Sequence, residues 1–446
     1  VRNLLVSLCL SAAAAMTLAG TPDAGDFQVN AYTPGSQWLP SVGADEAGNF
    51  VVVWSSSSSA GGDGSGYSIQ GRRFDSGGDP LGGDFQVNTY TPGDQMFPAV
   101  AVDADGDFVV VWQSVGSAGT DTAFTSVQGR RFSSGGQPQG DDFQVNAYTP
   151  GLQGYPRVSA SPAGDFVVVW HSDGSSGFDD SGYSIQGRRF ASDGTALAAE
   201  FQVNSYSAYD QDFADVAVAA DGGFVVVWHS RGSFGDDNPG SSVQAQVYDS
   251  AGAPQGDQLQ VNAYTTGNQR SPAVGAAADG SFVVTWASYG STASDASGYS
   301  VQARRFDSGG AALGAELQVN TYTTSGQDVP RIAVAGDGGF AVVWESVGSP
   351  GDDASDRSVQ GRCYTPAGSA LGDQLQVNTY VASSQFLPAV AVAASGSLTV
   401  AWTSFGSSGD DGSALSVQAR LLDPARALFL DGFESGDTGG WSSASP

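Results

Sequence analysis

Nine residues after each of seven tryptophans, Trp54, Trp112, Trp170, Trp228, Trp286, Trp344 and Trp402, stands an aspartate: Asp63, Asp121, Asp179, Asp237, Asp295, Asp353 and Asp411. Four of these have a second carboxylate beside them, giving Asp179-Asp180, Asp236-Asp237, Asp352-Asp353 and Asp410-Asp411. Carboxylates in Gly/Ser-rich loops are the oxygen donors that calcium takes, and so few per loop fit weak binding, about 10⁻⁴ to 10⁻³ M. The plainer role of such an aspartate is to cap a turn or be solvated. A glutamine recurs with the same period, as Gln37, Gln95, Gln153, Gln211, Gln269, Gln327 and Gln385. With the Asn30, Ser68 and Gln70 series it offers hydrogen bonds to sugar hydroxyls, and repetition would multiply weak affinity by avidity. The same amides would equally serve to satisfy buried polar groups between sheets.

The chain has two histidines, His171 and His229, each one residue after a repeat Trp, where the other copies carry Ser55, Gln113, Ala287, Glu345 and Thr403. Variation at a recurring position is where a specific site would be written, so His171, His229 and Glu345 are candidate ligand-binding or acid/base positions. No Gly-x-Ser-x-Gly nucleophile motif and no metal-ligand spacing accompanies them, and no catalytic residue is assigned. A histidine packed beside a Trp needs no further role. The acidic turn Asp103-Ala104-Asp105-Gly106-Asp107 resembles the calcium loops of integrin-type propellers, but Ser161-Pro162-Ala163-Gly164 and Ala394-Ser395-Gly396 lack the acids at the same place. It is read as a turn.

These residues must be placed by a repeated element, because the tryptophans recur every 58 residues. One copy carries four strand signals: the small-sided Pro98 to Val102, the continuous apolar run Phe108 to Trp112, the alternating Ser126 to Phe132, and Asp142 to Tyr148. Asp105-Gly106 and Ser134-Gly135-Gly136 are hairpin turns, and longer connectors leave the other end. Four antiparallel strands repeated seven times predict an all-β, seven-bladed β-propeller with the Ala/Val strand innermost. An open array of β units is the rival. The frame of the repeat separates them: Phe27-Gln28-Val29-Asn30 is a fourth strand with no blade before it, and the last copy, through Leu415 to Arg420, lacks one. The N-terminal strand is therefore expected to complete the last blade, hiding edges that an open array leaves unpaired.

Acidic residues outnumber basic ones 46 to 17, a net charge of −29 that repels phosphate backbones and anionic lipid. Nucleic acid is excluded as a partner; glycans or surface proteins remain. All basic residues are arginine, which removes Schiff-base chemistry. Arg2, the apolar Leu4 to Ala15 and the small-residue Thr17-Leu18-Ala19 read as a signal peptide over 1–19, too short to span a membrane. Cys363 has no mature partner and stands where other copies carry Arg73 or Arg131, a drifted strand position.

Phe85-Gln86-Val87-Asn88-Thr89-Tyr90, followed by Phe108-Val109-Val110-Val111-Trp112, resembles repeats of large secreted bacterial proteins that often sit beside calcium-binding nonapeptide arrays; such an array is absent here. The resemblance covers 26–422 and implies no settled activity. Leu428-Phe429-Leu430-Asp431-Gly432-Phe433-Glu434, with Trp441, resembles a tail shared by bacterial secreted proteins and sets 423–446 apart. The expectation is a secreted or surface-associated, monomeric, non-catalytic binding or adhesive module without a transmembrane helix, stabilised weakly by calcium. The alternatives are a multivalent lectin, or a carbohydrate-active enzyme of glycoside hydrolase or lyase type, on the same scaffold.

Overall fold

The computed structural model describes residues 25–423 apart from 60, 180, 233–234, 236, 238–239, 292, 294, 296, 350, 354–355 and 413–414. The leader expected over 1–19, and all of the 423–446 tail but its first residue, lie outside the described residues. Second strands such as Phe50–Ser56 are buried at every position, as a β-branched run packed on both faces must be. Each is flanked by an inner strand that begins on the recurring Gln and by a third strand, and a short outer strand completes the sheet.

Seven such four-stranded antiparallel sheets form the blades of a β-propeller. Blades 1 to 6 span 37–86, 95–144, 153–202, 211–260, 269–318 and 327–376. Blade 7 takes Gln385–Val392, Leu398–Phe405 and Leu415–Leu422 from the C-terminal end and Phe27–Gln28 from the N-terminal end. The ring is closed as the frame of the repeat predicts.

Two strand limits differ from the sequence reading. The inner strand of blade 2 runs Gln95–Val102 rather than from Pro98, because its register with the second strand is interrupted by a bulge between Met96 and Ala99. The outer strand pairs over Phe143–Gln144 only. Beyond it Val145 N–H donates to Val127 O at 2.8 Å, and the Asn146 side chain accepts from Val127 N–H at 2.9 Å in place of a further backbone rung.

Apolar cores lie between blades. One joins Val109, Val111 and Val127 of blade 2 to Phe166, Val168 and Trp170 of blade 3, and another joins Val52 and Trp54 of blade 1 to Ala401, Val417 and Ala419 of blade 7. A blade therefore has no core of its own, and the closing interface buries the same kind of surface as the others. At the closure Phe27 pairs with Ala419 and Gln28 with Gln418, Val29 N–H donates to Val417 O at 2.8 Å, and Arg72 Nη1 of blade 1 donates to Val29 O at 2.8 Å. The Asp84 carboxylate accepts from Ala31 and Tyr32 N–H, as Asp142 does from Thr89 and Tyr90 one blade on.

Candidate functional site

The recurring aspartates face inward. Asp63, Asp121, Asp179, Asp237, Asp295, Asp353 and Asp411 are all buried, and each accepts from the Asn side chain of its own blade's outer strand at 2.7–3.1 Å. In Asp63, Asp121, Asp179 and Asp295 the second oxygen accepts from the N–H two residues on at 3.1 Å, the side-chain turn that aspartate forms readily. Burial raises the Asp121 carboxyl and pushes Asp237 up to about 6. Asp352 and Asp410, the outer members of their pairs, are exposed, while Asp180 and Asp236 lie outside the described residues. Among the described residues no three His, Cys, Asp or Glu side chains stand together.

The glutamines expected on a ligand-facing rim are inside as well. Gln37, Gln95, Gln153, Gln211, Gln269, Gln327 and Gln385 have no exposed surface. Each donates through Nε2 to the carbonyl three residues before it, as Gln153 does to Pro150 O at 2.8 Å. Asn88 binds both Asp63 and Gln95, so one amide ties the loop of blade 1 to the start of blade 2. A rim of seven equal polar sites is thus replaced by seven internal clasps. Cys363 stands in a third strand opposite Ala341, where burial pushes its thiol up to about 11.

What remains at this end of the propeller is the part that does not repeat. Two residues past each Gln the inner strand bulges, and the bulged residue takes positive φ without being glycine: Leu39, Phe97, Tyr155, Phe213, Ser271, Val329 and Leu387, at 49–57°. Such a conformation costs an L-residue about 1 kcal/mol or more, and bulges re-aim side chains. Here neighbouring blades bring their bulged rings together, Phe97 to Tyr155 at 4.2 Å and Tyr155 to Phe213 at 5.4 Å between centroids. Phe213 is 46% exposed.

The position after the repeat Trp backs this ring of bulges. In three blades it accepts from the bulged N–H of the next blade: Gln113 from Tyr155 at 3.3 Å, Glu345 from Leu387 at 3.3 Å and Thr403 from Leu39 at 3.2 Å. Glu345 is therefore partly a backbone cap; it also accepts from Arg357 Nη1 at 2.8 Å, and burial raises its carboxyl. The two histidines do otherwise. His171 packs between Tyr155 and Tyr183, each 4.8 Å away, and burial lowers it to about 4, so it is neutral. His229 Nδ1 pairs with Asp212 Oδ1 at 2.8 Å, its cross-strand neighbour. His171 Nδ1 and His229 Nε2 have no hydrogen-bond partner among the described residues. Phe213 covers both, 6.3 Å from one ring and 6.5 Å from the other.

Charge gathers at the same place. Ten arginines belong to the paired Arg72 and Arg73 positions of the third strands, where they bind carbonyls of adjoining blades, as in Arg130 to Val87 O at 2.9 Å. The other described arginines, Arg157, Arg231, Arg270, Arg331 and Arg357, all fall in blades 3 to 6, on the inner strand or where the second and third strands reach this end. Arg270 pairs with Asp328 and lies 3.7 Å over the Tyr299 ring, and exposed Arg231 approaches half-buried Asp210 at 3.9 Å. Of the residues singled out from sequence, His171, His229 and Glu345 come to this mouth of the axial channel. The bulged aromatics and the five arginines escaped the sequence reading. Their signal was there, since they are departures from an otherwise faithful repeat. The opposite end has shallow grooves of about 270 Å³ between blades 1 and 2 and between blades 2 and 3, lined by repeat residues such as Phe74 and Phe108.

No protein-family model matches the chain, and no curated protein does. Solved structures match in fold. A protein of unknown function from Dyadobacter fermentans DSM 18053 is 9% identical, with 90% of this chain and 98% of that one covered at a TM-score of 0.51. The polysaccharide lyase Uly1 is 10% identical, with 92% and 94% covered at 0.50. Likeness at this identity is likeness of architecture. Among the described residues no helix is long and apolar enough to cross a membrane.

Proposed function

We propose that this protein is a secreted, non-catalytic binding module whose ligand is a glycan held at the axial mouth of blades 2 to 6. The observation that carries the reading is convergence: the departures of the chain from its own repeat, in Phe97, Tyr155, Phe213, His171, His229, Arg231, Arg270 and Arg357, meet on one end of one channel. Aromatic faces with a few placed polar groups suit sugar rings, whose C–H faces stack and whose hydroxyls need donors and acceptors. One site on the axis also changes the expected mode of binding, from seven equal weak contacts to a single asymmetric one. Secretion is supported by the leader-like composition of 1–19.

A glycan array tests the reading. Wild type should bind a restricted set of oligosaccharides, and Phe213→Ala with Tyr155→Ala should abolish those signals while the fold persists by circular dichroism. Signals that survive both substitutions would refute the axial site.

One observation favours the enzyme alternative, the His229–Asp212 pair with Nε2 unpartnered, which is the arrangement of a base and its orienting acid. Turnover of an array-positive oligosaccharide by wild type, lost in His229→Phe, would establish catalysis. We expect no turnover.

A further inference from the structure

Below the mouth the channel carries one layer of charge. Arg157, Asp215 and Arg331 occupy the same register on the inner strands of blades 3, 4 and 6, opposite Val169, Val227 and Val343. At that height the remaining four blades carry only Ala or Ser, as at Ala99 and Ser41. Blades 3 and 6 stand as far apart around the ring as seven members allow, yet Arg331 feels the charge of Arg157 and both feel Asp215. Each guanidinium donates once among the described residues, to the carbonyl of its own preceding proline, Arg157 to Pro156 O and Arg331 to Pro330 O, both at 2.9 Å. Asp215 spends Oδ2 on Val274 N–H at 3.0 Å. Burial, then the nearby Arg157, lowers Arg331 to about 10.

Elsewhere at the mouth each cation has its own acid, as in Arg357 with Glu345 and Arg270 with Asp328. Within the layer two guanidinium groups share one carboxylate; Arg331 also feels Glu345 and Asp328, but these are already paired with Arg357 and Arg270. An excess positive charge deep in a protein is costly unless it is paired. The net charge of −29 does not supply the pairing, because surface carboxylates beyond a Debye length of about 8 Å are screened. The layer is thus short by one negative charge, and guanidinium forks match carboxylates with two parallel hydrogen bonds.

We infer that the channel between Arg157 and Arg331 is a carboxylate subsite, and that the glycan bound at the mouth carries a uronic acid whose carboxylate reaches this layer. The inference rests on the glycan reading above and narrows it to acidic saccharides. Asp215 then offsets one of the two positive charges and leaves one for the ligand, so a dianion such as a phosphate monoester is disfavoured.

The test is a set of matched ligands titrated against the full chain: oligomers of galacturonate, glucuronate and mannuronate, their neutral hexose counterparts of the same linkage, and the methyl esters of the uronides. At least one uronide should bind about tenfold or more tighter than both its neutral and its esterified partner. Arg331→Ala and Arg157→Ala, which copy the alanine of sibling blades, should each bring the affinity of the uronide down to that of its ester. Should either variant fold poorly, the ester comparison decides on wild type alone, since it removes the charge from the ligand. Equal affinity for acid and ester, or a uronide preference that survives both substitutions, would each overturn the inference and leave the glycan reading standing. Failure of every saccharide to bind would overturn both.

Discussion

Asn146 shows how much one side chain carries in this protein. It accepts from Val127 N–H, donates to Asp121 at 2.7 Å and donates to Tyr148 O at 2.9 Å, all in buried surroundings. Asn146→Ala would strand a backbone donor and a carboxylate at once, and should cost about 3 kcal/mol in denaturant unfolding. A loss below about 1 kcal/mol would mean the clasp is not what holds the loop. Because the same carboxylates are already engaged by amides, we expect identical melts in millimolar calcium and in chelator; a rise in calcium would reveal a site those bonds do not show. His171 makes a prediction of opposite sign to the buried acids. Its folded value is lowered from 6.5 to about 4, so its contribution to stability is complete above pH 6.5 and is lost as pH falls toward 4. His171→Phe has nothing to protonate, so its stability relative to wild type should increase steadily between pH 6.5 and 4.5. A constant difference would mean that the imidazole is not buried neutral. The recurrence of Asn, Asp and Gln was legible in the sequence, but the partners were not. A carboxylate in a Gly/Ser loop reads as solvated until the outer strand is seen to end in an asparagine that reaches it.

At the level of the strand, the closure and the bulge carry the most weight. The outer strand of blade 7 is supplied by Phe27–Gln28, held by Val29 to Val417 and by Arg72. Removing residues 26–32 would uncover the third strand of that blade and the apolar face behind it. We expect a lower melting temperature or aggregation, and an unchanged melt would show that closure adds no stability. The bulge offers a gain rather than a loss. Ser271 holds φ at 53° without an aromatic ring to justify it, so Ser271→Gly should stabilise the fold by about 1 kcal/mol, and a destabilised variant would contradict the strain. Strand order and closure were readable because a 58-residue period fixes the frame. The bulge was not, since a single positive φ leaves no mark on apolar patterning, and Phe97-Pro98 looks like the start of a strand rather than its kink.

The whole molecule is an acidic ring whose regular part is scaffold and whose irregular part is the candidate site. Burial raises the carboxyls of Asp26, Asp84, Asp121, Asp215 and Glu345, and brings Asp237 to about 6 from 3.8. A raised carboxyl stabilises the fold when protonated: for Asp237 the contribution is complete below pH 3.8 and is lost as pH rises through about 6. Asp237→Asn has nothing to protonate there, so its stability relative to wild type should fall as pH goes from 7 to 5, and a constant difference would mean that burial does not raise this carboxyl. The most direct measurement on the site itself is a crystal structure of the protein with its strongest array ligand. We expect the sugar stacked on Phe213 and Tyr155 at the axial mouth, with its acidic group directed toward Arg157 and Arg331; a ligand seated on the outer loops, or in the grooves at the opposite end, would contradict the assignment.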